Sequence, residues 1–148
     1  MTFSRWYPLG YLLLAVLLTT LLTSLVQSSV NLTAIAALTG TLALADILFT
    51  LGFDLRHFSI TYAPIALVNL LSVALLVKLL PALARLWLAS LIAAVVLYLM
   101  LHLINSLAPM PTLIAANRSG LGTLAMLLCS AAGMACYLWL IKRRYSNA

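Results

Sequence analysis

Hydrophobic positions in this chain do not alternate with polar ones; they run. Four runs stand out, over residues 8–29, 60–80, 86–107 and 120–141. Each has the roughly 20 residues that an α-helix needs to cross a hydrocarbon core of about 30 Å. Unbroken apolar stretches of this length predict helices, because a membrane barrel would show a two-residue period. Pro8 and Pro64 fall in the first turns of the first and second runs, where a missing N–H costs little. Trp6 and Tyr7 stand where interfacial aromatics anchor a helix end. Pro109 and Pro111 break the chain in a polar loop before the fourth run.

Residues 32–59 resist the same reading. The segment 34–53 is long enough to span but carries Asp46 near its centre. Each Leu, Ile or Phe gains roughly 0.3–0.6 kcal/mol on insertion, against about 2.5–3.5 kcal/mol lost for a central Asp, so the sum is marginal. The phase is more informative. Asp46, Thr50, Asp54 and His57 recur at i, i+4, i+8 and i+11, one helical face, with Ile47, Leu48, Leu51, Leu55 and Phe58 on the remainder. This pattern predicts an amphipathic surface or re-entrant helix between the first and second spans. The expected fold is all-α: one polytopic membrane four-helix bundle, residues 1–148, with that segment on its outer face.

Composition agrees with a bilayer environment. The 148 residues are 66% hydrophobic and 7% charged, whereas soluble domains carry roughly a quarter charged residues. The net charge of +6 sits at the ends of apolar runs, without a basic stripe interleaved with aromatics, so nucleic acid is not an expected partner. Membrane lipids are, together with a membrane-protein partner or a second copy of the chain. With four spans and an inside N-terminus, Arg5, Lys78, Arg85, Lys142, Arg143 and Arg144 lie inside and only Arg56 and Arg118 outside. Five spans give at best five against three, so the positive-inside rule favours four, with both termini cytoplasmic. The first run exceeds a signal-peptide core of about 7–15 residues and no small-residue cleavage site follows it, so it reads as a retained helix.

In this topology the outer ends of the helices collect Gln27, Asn31, Asp46, Asp54, Arg56, His57, His102, Asn105, Asn117 and Arg118. His102 and Asn105, three apart, share a face. Ionisable groups at membrane depth are functional candidates, here as a proton relay or a pocket for a polar headgroup. The competing reading is structural: hydrated side chains, with Asp54 paired to Arg56 or Arg118. Catalytic chemistry is not suggested. Asp46 and Asp54 are about 12 Å apart along a helix, too far for an aspartic peptidase dyad, and no metal-binding spacing such as HExxH occurs. The two histidines, one of them in the surface segment, do not mark a haem site. No cofactor is expected. Cys129 and Cys136, about 10 Å apart by helical rise, are beyond disulfide reach. Ala89 with Ala93, Ser90 with Ala94, and Ala125, Cys129 and Gly133 form small-residue stripes suited to helix contact. The two hairpins show no internal repeat, which disfavours an inverted-repeat transporter.

Three short stretches carry a resemblance: Val26, Gln27 and Asn31; then Asp54, Leu55, Phe58, Tyr62, Ala63 and Pro64; then Pro109, Pro111 and Arg118. Their order resembles small uncharacterised four-helix inner-membrane proteins of proteobacteria. The resemblance implies a bacterial inner-membrane location and no activity or catalytic residue. The function expected on this basis is a non-enzymatic accessory or interaction subunit; the alternative is a small transporter or lipid-binding protein with an outward-facing polar pocket.

Overall fold

The computed structural model describes residues 7–107 and 114–146. It is all-α. Helix α1 runs Tyr7–Thr39 and helix α2 runs Leu44–Leu79. A 3-10 turn, Pro81–Leu83, leads to α3, Leu86–Leu107; a second, Ala115–Arg118, leads to α4, Gly120–Ser146. All four helices are long and apolar enough to cross a membrane, which suggests a multi-pass membrane protein. Pro109 and Pro111, like Arg5 and Trp6, lie outside the described residues.

Each helix packs on its sequence neighbours, and α1 closes the ring against α4. The outward faces are apolar: Leu13, Leu17 and Leu25 of α1 and Leu91 of α3 are all more than half exposed. Several inward positions are polar, with Thr19, Thr23, Ser24, Asn69 and Ser130 fully or almost fully buried. Such a distribution suits a lipid surround, where small and hydroxyl side chains let backbones approach and no hydrophobic drive separates inside from outside. The closest approach is between α1 and α4. A Cβ added at Gly133 would stand 1.9 Å from Thr19 Oγ1 and 3.2 Å from the Ala15 carbonyl oxygen. Lower in conspicuousness but equally buried, Asn69 Nδ2 donates to Ser130 Oγ (2.6 Å), which donates to the Ala93 carbonyl (3.2 Å), linking α2, α4 and α3.

Two sequence expectations need correction. The first helix does not end at Ser29; α1 continues for ten residues to Thr39. The segment 32–59 does not form a separate helix of its own. It is split by a turn at Gly40, whose φ of +74° is the left-handed conformation that stops a helix. Its second half runs into the second span without a break: α-helical over Leu44–Phe53, one π-helical turn over Asp54–Phe58, and α-helical again over Ser59–Leu79. Pro64 therefore lies inside α2 and not in a first turn.

The physical reason lies in the buried stripe of α2. Thr50, Asp54, Phe58, Tyr62, Ala66 and Leu70 are all buried at intervals of four. With 3.6 residues per turn, such a stripe drifts round a straight α-helix by about 40° per step. The wider π turn, in which the Ser59 N–H reaches back to the Asp54 carbonyl, takes up part of this drift and keeps the stripe against α1.

Candidate functional site

At 1.5 Å per residue, α1 and α2 are about 50 and 54 Å long, against about 33 Å for α3. The excess projects at one end as a helical hairpin of residues 32–53, whose tip at Gly40 lies about 18 Å along the axis from Ser28. Lys78, Arg85 and the run Lys142, Arg143 and Arg144 occupy the opposite end. There Tyr7 donates to the Tyr145 hydroxyl (2.9 Å) and the Arg143 guanidinium lies over the Trp139 ring.

At the base of the hairpin, the π turn turns Asp54 toward α1. The residue is 4% exposed, and its carboxylate accepts from Ser28 Oγ (2.9 Å to Oδ2) and from Asn31 Nδ2 (3.0 Å to Oδ2, 3.3 Å to Oδ1). Both donors are neutral. Beside Asp54 an apolar groove of about 330 Å³ opens between the hairpin arms, walled by Ile35 and Leu38 of α1 and by Thr50, Phe49 and Phe53 of α2. The Phe49 and Phe53 rings stack at 6.1 Å, and His57 stacks on Phe53 at 4.3 Å.

The remaining expected site residues divide among other tasks. Gln27 Oε1 accepts the buried Ala116 N–H (3.0 Å), tying the turn before α4 to α1. Asp46 accepts from the Ala43 N–H (3.1 Å), satisfying a backbone donor at the start of α2, and is exposed. Arg56 and His57 face outward, since the π turn brings Phe58 and not His57 into the stripe; His57 Nδ1 lies 3.1 Å from the Phe53 carbonyl. Arg118 is exposed at the end of its 3-10 turn. His102, Asn105 and Asn117 do meet, along a second groove of about 430 Å³ between α3 and α4, with Tyr98 and Thr123. Here Thr123 donates to Asn117 Oδ1 (2.8 Å), and the Tyr98 and His102 rings are 4.5 Å apart.

Of the ten expected residues, Asn31 and Asp54 border one groove and His102, Asn105 and Asn117 another at the same end of the bundle, and the other five border neither. Ser28, which sequence reasoning passed over, proves central. Its position four after Ser24 and three before Asn31 was the available signal. Phe49 and Phe53 were equally missed, because an aromatic in an apolar run carries no mark of its role. Among the described residues no group of three or more His, Cys, Asp or Glu is placed to hold a metal ion. Comparison of the chain with protein-family models, with curated proteins and with solved structures finds no significant match, so the family resemblance carries no assignment.

Proposed function

We propose that this chain is a multi-pass protein of the bacterial inner membrane, with both termini cytoplasmic, acting as a non-enzymatic accessory subunit that docks a partner membrane protein through its projecting hairpin. The observation that carries this reading is the apolar outer edge of the hairpin and of the π turn at its base. Leu44, Leu48 and Leu55 follow one another at helical spacing, are 70%, 62% and 49% exposed, and point away from the groove beside Asp54. Beyond the hydrocarbon layer, such an edge exposes apolar area to water or headgroups, and contiguous exposure of this kind marks an interaction surface. A photo-crosslinking residue at Leu48, with one at the lipid-facing Leu91 as control, tests it in native membranes. The expected outcome is a single stoichiometric protein adduct from position 48 and lipid adducts from 91. Lipid adducts alone from both positions would overturn it.

A second reading is favoured by the two grooves: a small lipid-binding or transport protein that receives an amphiphile at its outer end. It differs from the first in the face it uses, the inside of the hairpin and the α3–α4 cleft.

A further inference from the structure

The groove between the hairpin arms is built for a charge of one sign. Its walls are aliphatic and aromatic, from Ile35, Leu38, Phe49 and Phe53, and its floor includes Asp54. Asp54 is almost completely buried, and its hydrogen-bond partners Ser28 and Asn31 bring dipoles but no positive charge. A carboxylate taken out of water pays a desolvation cost that neutral donors offset only in part, and a cation against it recovers more. The Phe53 ring is covered by its stacking partners Phe49 and His57, but the exposed ring of Phe49 beside the same opening adds a second attraction for a cation and none for an anion. The groove's α1 wall, Asn31 to Leu38, lies about 36 to 47 Å along α1 from Tyr7, more than the roughly 30 Å of a bilayer's hydrocarbon. A ligand arriving there meets carboxylate and apolar wall together.

We propose that this groove binds an organic ammonium ion carried on an apolar body, its positive nitrogen against Asp54 and its apolar part against Phe49, Phe53 and Leu38. The proposal rests on the amphiphile-binding reading above and adds the class of ligand. Two sources offer this chemistry, a free aromatic or alkyl amine and the ammonium headgroup of a lipid such as phosphatidylethanolamine.

The test uses the full chain in phosphatidylglycerol nanodiscs, with empty nanodiscs as blank. Equilibrium binding of benzyltrimethylammonium is compared with that of its uncharged carbon isostere. The cation should saturate at one site and bind at least about tenfold more tightly than the isostere. Asp54→Asn should weaken the cation about tenfold or more and leave the isostere unchanged. Phe49→Ala, at a position 74% exposed and so harmless to the fold, should weaken the cation about two- to fivefold. Asp46→Asn should change nothing. Adding phosphatidylethanolamine distinguishes the sources: competition identifies the lipid headgroup as the resident ligand, and its absence a free amphiphile. Equal affinity for cation and isostere would overturn the ammonium assignment while leaving the groove a binding site. Absence of binding by either probe, in either lipid, would overturn both.

Discussion

Asp54 is held by side chains that are individually unremarkable, and its environment shows how much depends on their register. Ser28 and Asn31 stand three apart on α1 and so present their donors on one face, at the height where the π turn delivers the carboxylate. Removing one donor leaves a buried acceptor partly unsatisfied, which costs about 1–3 kcal/mol. Ser28→Ala is therefore expected to lower stability by about that amount, read as a fall in the thermal midpoint in a fixed lipid, with faster amide exchange confined to residues 50–58. Ser29→Ala, an exposed neighbour whose hydroxyl only turns back to the Leu25 carbonyl, should shift it by less than about 0.5 kcal/mol. The carboxylate itself was legible in the sequence as one of two acids in an apolar chain. Its partners were not, since serines near the end of a run read equally well as headgroup contacts.

Helix by helix, the small-residue pattern was legible and its phase only in part. Ala89 and Ala93 are fully buried on α3, as expected of a contact stripe. On α4 the expected line Ala125, Cys129 and Gly133 is rotated: Gly122, Met126, Ser130 and Gly133 are the buried positions, while Ala125 and Cys129 are half-buried. Composition identifies that two helices approach closely, but four-residue spacing fits several neighbouring stripes, and only the opposing helix selects among them. Gly133 belongs to both lines and faces Thr19, whose hydroxyl is committed to the Ala15 carbonyl at 2.9 Å. Gly133→Ala should force α1 and α4 apart at a cost of about 1–3 kcal/mol. Denaturation in mixed micelles checks this, and Leu128→Ala, at an exposed position on the same helix, is the control. The extension of α1 beyond Ser29 escaped the sequence for a related reason. Gln27, Ser28 and Asn31 mimic the polar end of a span, whereas their polar atoms are spent on Ala116 and Asp54 inside the fold.

For the whole molecule, four spans could be read from run lengths and loop charges, and four long apolar helices are present among the described residues. The projecting hairpin could not be read, because its continuity depends on one π turn that leaves no compositional trace. It offers a direct topology test. Thr41, exposed at the hairpin tip, should become a reporter as Thr41→Cys once Cys129 and Cys136 are replaced by Ala. An impermeant maleimide is expected to label it in intact cells, and labelling only after lysis would invert the proposed orientation.

The segregation of charge along the bundle has an electrical consequence. The hairpin end carries two acids and the bases Arg56 and Arg118, which cancel, while Lys78, Arg85, Lys142, Arg143 and Arg144 leave the other end strongly positive. In the proposed orientation that end faces the negative side of an energised membrane, and each charge carried across would cost roughly 2.3 kcal/mol per 100 mV. In that orientation the membrane voltage opposes inversion of the bundle.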